Sequence, residues 1–225
     1  MKISSWPYFD DKQIEKVVNV LKKGKVNSWH GNETKNFEKE FASWSNNEYA
    51  IAIANGSLAL SSAYLSLNIS EGDEVITTPR TFIATASSIS LLKAVPIFAD
   101  VDINSGNITT ENIEPLINKK TKAISVVHLA GWPADMINIK KLAKQYNLAL
   151  IEDCAQSHGA RIKFNDNFKS VGSFGDVAAW SFCQDKIIST GGEGGMITTN
   201  NIEIFKKIWS LKDHGKSYEL SLKKS

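Results

Sequence analysis

Apolar positions along the chain follow two different periods. From about residue 11 to 23 they fall at Ile14, Val17, Val18 and Leu21, which predicts an amphipathic helix stopped by Gly24. A second helix is predicted over about 32–45, with Phe37, Phe41 and Trp44 on one side. Beyond it, short apolar runs alternate with helical patterns. "EYAIAIAN", "DEVITTP", "VPIFAD", "TKAISVVHL", "LALIED", "DVAAWSFC" and "GGMITTN" read as strands. "SLALSSAYLSL", "TFIATASSISLLK", "MINIKKLAKQYN" and "IEIFKKIWSLK" read as helices. Strands this apolar are buried on both faces, and their alternation with helices predicts an α/β fold with a mainly parallel sheet. Ligands of such sheets bind beyond the carboxyl ends of the strands, so candidate chemistry is sought just after each strand.

Bulk properties narrow the function classes. The 225 residues suffice for one large domain or two small ones with a sizeable core. A hydrophobic fraction of 42% and a charged fraction of 22% are ordinary for a globular protein in water. The net charge is +2 and the lysines are scattered, so nucleic acid is not an expected partner. Only "SLKKS" at the end forms a short basic tail, read as solvated. Cys154 and Cys183 suit neither a disulfide framework nor a zinc site, so no metal is expected and a reducing cytoplasm is the expected compartment. "MKISSWPYFDD" lacks the apolar core of a signal peptide, and no apolar run reaches about 18 residues, so no membrane is expected either.

The strand ends carry the chemistry. After "YAIAIA" come Gly56 and Ser57. Gly56 permits close backbone approach, and a helix N-terminus with a hydroxyl is a phosphate site, or else a plain strand-to-helix turn. After "DEVITTP", Phe82 either stacks on a flat ring or packs in the core. Asp153 ends an apolar strand, where it either caps a helix or holds a cationic ring nitrogen. Gln156 and His158 follow it, and His158 reads as a structural histidine. Ser181 ends "DVAAW" and offers a further phosphate hydroxyl. Lys186 lies just before "GGEGG", four glycines in five residues. That loop is neither a Walker motif, whose lysine follows its glycines, nor a dinucleotide fingerprint, since it leads into a strand.

One ligand accounts for these positions together. Pyridoxal 5′-phosphate (PLP) needs a phosphate cup, an aromatic stacker, a carboxylate for its ring nitrogen and an amine for its aldehyde. Gly56, Ser57 and Ser181 supply the cup, Phe82 the stack, Asp153 the carboxylate and Lys186 the amine.

"GNETKNFEKEFA", "ANGSLAL", "GDEVITTPRTFIATA", "PIFADVD", "HLAGWPADM", "IEDCAQSHGA", "GDVAAWSF" and "DKIISTGGEGGM" resemble, in that order, the DegT/DnrJ/EryC1/StrS family of PLP-dependent sugar aminotransferases. The resemblance runs from about Trp6 to Gly215. It implies the three-layer α/β/α large domain of fold-type I PLP-dependent transferases, with a mainly parallel mixed sheet. It implies Lys186 as the catalytic, cofactor-bearing lysine, Asp153 as the catalytic ring-nitrogen partner, and Gln156 beside the ring hydroxyl region. A lysine at 186 disfavours the family's dehydratase branch, which has histidine there. The pair Gln156 and His158 resembles members that aminate C3 of a nucleotide-linked ketosugar or a cyclitol ketone, whereas members acting at C4 more often differ there. The implied reaction moves an amino group from L-glutamate to a nucleotide-linked ketosugar (C3 or C4) or a cyclitol ketone, for amino-sugar or surface-glycan synthesis.

The resemblance also implies a domain plan: 1–30 an N-terminal helical segment, 31–215 the PLP-binding large domain, 216–225 a tail leading to a small C-terminal domain that this chain lacks. On that plan the chain is a fragment or a truncated product, and a homodimer with sites shared between subunits is expected. Two other readings stay open: an inactive PLP-fold module with a binding or regulatory role, and another fold-type I enzyme such as a lyase or desulfurase.

Overall fold

A computed structural model describes residues 6–223. Met1–Ser5 of the N-terminal stretch and the last two residues of the basic tail lie outside them. Helix α1 spans Asp11–Lys23, opened by a capping box between Asp10 and Gln13 and closed by Gly24 at φ +68°. It is amphipathic as expected, yet it buries no residue. Helix α2 follows at Glu33–Trp44.

The α/β pattern then unfolds as β1 (Tyr49–Ile53), α3 (Gly56–Ser66), β2 (Glu74–Thr77), α4 (Ala84–Leu91) and β3 (Val95–Phe98). A short α5 (Thr110–Ile113) precedes β4 (Thr121–Val127), α6 (Met136–Gln145) and β5 (Ala149–Asp153). A hairpin of β6 (Arg161–Phe164) and β7 (Asn167–Ser170) interrupts the series, which β8 (Val177–Ser181), β9 (Gly195–Thr199), α7 (Ile202–Lys212) and α8 (Tyr218–Leu222) complete.

Seven strands form one sheet in the order β1-β9-β8-β5-β4-β2-β3, and β6-β7 stand apart as a ribbon. β9 pairs antiparallel with both β1 and β8, and every other pairing in the large sheet is parallel. The sheet is therefore mixed and mainly parallel.

Two-residue alternation builds the layers. Ile51, Val75, Ile151, Val177, Ala179 and Ile197 point to one face, where α3, α4 and α7 cover them. Ile76, Ile124, Val126 and Leu150 point to the other, against α6 and α5. Ala50, Ala178, Trp180 and Met196 continue that second face under α2, in an aromatic cluster with Phe41 and Phe182. The result is a three-layer α/β/α sandwich. The two edge strands depart from burial on both faces: β3 exposes Val95 and Phe98, and β1 is half-buried at Tyr49, Ala52 and Ile53.

The packing around Trp180 is tight enough to predict a cost. Gly172 sits at φ +80°, and a Cβ there would collide with the Trp180 ring. Gly172→Ala is expected to destabilise the protein by about 2–4 kcal/mol, from the left-handed backbone and the overpacking together. A lowered urea midpoint at unchanged m-value checks this, and an unmoved midpoint would contradict it.

Candidate functional site

Alternation also decides which side chains meet at the carboxyl edge of the sheet. Asp153 and Ser181 fall on the α3/α4 face with Ile151 and Ala179, whereas Glu152 falls on the opposite face with Leu150. A cavity of about 570 Å³ opens where β1, β2, β5 and β8 end and the reversed β9 begins. Gly56, Ser57, Phe82, Asp153, Gln156, Ser181 and Lys186 all line it. Every candidate site residue predicted from the strand ends is thus brought to one cavity. His158 does not line it.

The α3 end presents backbone amides to the cavity. Asn55 caps the helix by accepting from the Leu58 amide at 2.9 Å. The Gly56 and Ser57 amides stand ahead of any intrahelical acceptor. A Cβ on Gly56 would lie 2.7 Å from the Ser181 Cβ, so only glycine lets the helix terminus approach β8 this closely.

Asp153 is buried at the far wall. The Thr85 hydroxyl donates to its Oδ2 at 2.7 Å, and the Ala155 amide donates to Oδ1 at 3.1 Å. Burial pushes its carboxyl above the ordinary carboxylate range, and the bonds from Thr85 and Ala155 offset only part of that. A carboxylate so placed is poised for a cationic partner within the cavity.

Gln156 has one defined orientation. Its Oε1 accepts from the Ala130 amide at 2.8 Å, so its NH₂ group is the end left to donate. Phe82 is 67% exposed at the cavity wall, so its ring is spent on no core. Lys186 projects from the loop after β8. Its Nζ pairs with Asp185 Oδ2 at 2.9 Å; the two side chains are 18% and 66% exposed.

His158 is buried as a structural histidine would be, but neither of its ring nitrogens has a hydrogen-bond partner among the described residues. It is buried between the rings of Trp180 and Phe182, with centroids 5.5 Å and 5.3 Å away. Burial and the Lys186 charge lower its pKa to about 4, so it stays neutral at physiological pH.

Reasoning from the strand ends misses three contributors. Thr85 orients Asp153 from 68 residues away, a pairing without any local pattern. Asp185 and Glu193 also line the cavity, and they do carry a sequence signal, since they flank Lys186 and break the glycine run. The Cys183 thiol donates to Glu193 Oε1 at 3.5 Å. Hydrogen bonding to Asp185, then its partial burial, raise the pKa of that thiol, so it stays protonated. Both cysteines are free, and among the described residues no helix is long and apolar enough to cross a membrane.

Fold and site together define a three-layer α/β/α domain with a cavity at the carboxyl edge of the sheet, lined by a helix N-terminus, a buried carboxylate and a lysine amine. The chain belongs to the DegT/DnrJ/EryC1/StrS aminotransferase family, whose model matches residues 7–224. It is 42% identical over 209 residues to GDP-perosamine synthase of Escherichia coli O157:H7, covering 93% of this chain and 56% of that protein. It is 43% identical over 213 residues to dTDP-3-amino-3,6-dideoxy-alpha-D-galactopyranose transaminase of Aneurinibacillus thermoaerophilus, covering 92% and 56%. Among solved structures, the aminotransferase from Psychrobacter cryohalolentis superposes with a TM-score of 0.95 at 52% identity, over 99% of this chain and 55% of that one. The chain therefore spans about half the length of the curated relatives it matches.

Proposed function

We propose that this chain is the cofactor-binding part of a PLP-dependent aminotransferase that moves an amino group from L-glutamate to a nucleotide-linked ketosugar. The observation that carries the reading is one cavity holding a lysine amine, a buried carboxylate and a glycine–serine cradle at a helix N-terminus. These residues fit PLP. Gly56, Ser57 and Ser181 would hold its phosphate, Phe82 would cover the ring, Gln156 would donate beside the ring hydroxyl, and Asp153 would bond the ring nitrogen.

When bound, PLP supplies a pyridinium ring that takes up the electrons released at the donor's α-carbon. The chain supplies the rest. The charge on Asp153, fixed by Thr85 and Ala155, favours a protonated ring nitrogen. Lys186, on a flexible stem, would hold the cofactor by its amine and would carry a proton away from the donor's α-carbon. Asp185 sits beside that amine as its counter-ion when it is free.

The relatives named for perosamine and for a dideoxy-aminogalactose support a nucleotide-linked sugar as acceptor. The acceptor carbonyl is at C3 or C4 of that sugar, or on a cyclitol. Residues 31–215 are proposed as the cofactor-binding unit, 1–30 as a preceding helical segment and 216–225 as a tail toward a further domain. A homodimer with shared sites and a cytoplasmic location, which suits the two free cysteines, belong to the same proposal.

Ser181→Ala tests the cradle. Removing one donor to a doubly charged phosphate is expected to weaken PLP binding about tenfold or more, with little change in melting temperature. Unchanged affinity in a fluorescence titration with PLP would remove Ser181 from the phosphate site.

A further inference from the structure

Behind the cavity lies a buried carboxylate with a hydrogen-bond partner at each of four acceptor positions. Glu152 precedes Asp153 on β5 but points to the opposite face and is fully buried. Its Oε1 accepts from the amides of Phe174 at 2.8 Å and Gly175 at 2.6 Å. Its Oε2 accepts from the Gly172 amide at 2.8 Å and meets His128 Nε2 at 3.0 Å. Two bonds on each oxygen fill the carboxylate's acceptor sites. Although burial raises its pKa most, the bonds from His128 and the glycine amides hold it below the ordinary range.

His128, Glu152 and Cys154 bring their donor atoms within 4.8 Å of one another, a spacing a metal ion could bridge. The filled acceptor sites of Glu152 argue against that use. The cluster reads instead as a hydrogen-bonded hub, and every polar group of His128 is engaged in it. Its Nδ1 accepts from the Ala134 amide at 3.1 Å, which puts the ring proton on Nε2, facing Glu152. Its amide donates to the Asp153 carbonyl at 3.2 Å, and its carbonyl accepts from Gly131 at 3.2 Å.

That last bond closes the turn Leu129–Gly131, in which Ala130 holds a left-handed φ of 53°. The Ala130 amide made available by this backbone is the donor that grips Gln156. One buried pair is therefore connected to two cavity walls: to Asp153 through strand β5, and to Gln156 through the turn.

Resting on the function proposed above, we propose that the Glu152–His128 pair is a positioning device that sets Asp153 and Gln156 against the cofactor ring from behind the sheet. His128→Asn and His128→Gln separate the two ring contacts. Asparagine can still accept from Ala134 but is too short to reach Glu152, whereas glutamine can still donate to Glu152. In unloaded protein, His128→Asn is expected to speed amide exchange of Ala130 and Ala155 about tenfold beyond any uniform rise across the chain. With PLP, it is expected to weaken cofactor retention about tenfold or more and to change the ratio of the bound cofactor's visible bands. His128→Gln is expected to stay within about twofold of wild type in both.

Wild-type exchange at Ala130 and Ala155 in His128→Asn would overturn the proposal. So would a uniform rise in exchange with unaltered bands, which is what a purely structural histidine gives. If His128→Asn does not fold, ¹⁵N-histidine spectra of the wild type decide: the proposal requires the Nε2–H tautomer at His128, and a protonated or Nδ1–H ring overturns it. Failure of wild-type protein to bind PLP would sink the proposed function instead, and the exchange result would still decide whether the pair positions Asp153 and Gln156.

Discussion

Lys186→Ala is expected to yield a folded protein that no longer develops visible absorbance when PLP is added. The fold has little at stake in this side chain. The hydrogen-bond partner of Nζ is Asp185, two-thirds exposed, and buried Asp153 keeps its bonds from Thr85 and Ala155 when the amine is removed. The chemistry has everything at stake, because an amine is needed both to hold the aldehyde and to move the proton. Loss of the proton-transfer role alone costs about 10²–10⁴-fold in the conversion of cofactor by L-glutamate. A melting curve, an absorbance titration and a single-turnover measurement check the three parts. A visible band that persists in the variant would assign the amine elsewhere.

Asp153→Asn is expected to separate stability from turnover. In the unloaded protein Asp153 is buried with only a hydroxyl and an amide as partners, and its pKa lies above the ordinary 3.8. The sign follows from proton binding. The folded state holds this proton more tightly than the unfolded chain, so stability declines as pH rises from about 3.8 through the raised value. Asparagine removes that penalty. Its Oδ1 still accepts from Ala155, and the Thr85 hydroxyl can rotate to accept from its NH₂. The variant is therefore expected to melt higher than wild type at neutral pH, and by less at acid pH. Turnover is expected to fall about 10²–10³-fold, because a neutral amide no longer favours a protonated ring nitrogen. A variant that is both less stable and near-normal in rate would contradict the role on both counts.

The strand ends are readable in the sequence because each chemical residue there follows an apolar run. Gly56, Phe82, Asp153 and Ser181 can be placed at one edge of a sheet from the residue pattern alone. The direction of β9 cannot, since a buried strand reads the same either way. The β6–β7 hairpin escapes such a reading although its turn signal is present. Ile162 and Phe164 alternate with polar residues before "ND", and Asn165 takes the left-handed φ of 54° that such a turn needs. Its strands are short and mostly polar, and lack the apolar runs that mark the others. The hairpin leads into residues 171–175, whose amides fill the acceptor sites of Glu152. Thr85 and His128 are hidden for a different reason. Their roles come from partners 68 and 24 residues away, brought close only by strand order.

The amphipathic face of α1 shows the limit of periodicity. Ile14, Val17, Val18 and Leu21 do align on one face, yet all remain exposed in this chain. A hydrophobic stripe specifies a helix with a face to cover, and says nothing about what covers it.

The proposed chemistry requires Lys186 to be the amine that takes the cofactor. Borohydride reduction of the PLP-loaded protein, followed by peptide mapping, tests this most directly. The predicted result is a single phosphopyridoxyl group on the peptide containing Lys186. Label on another lysine, or none on a protein saturated with PLP, would contradict it.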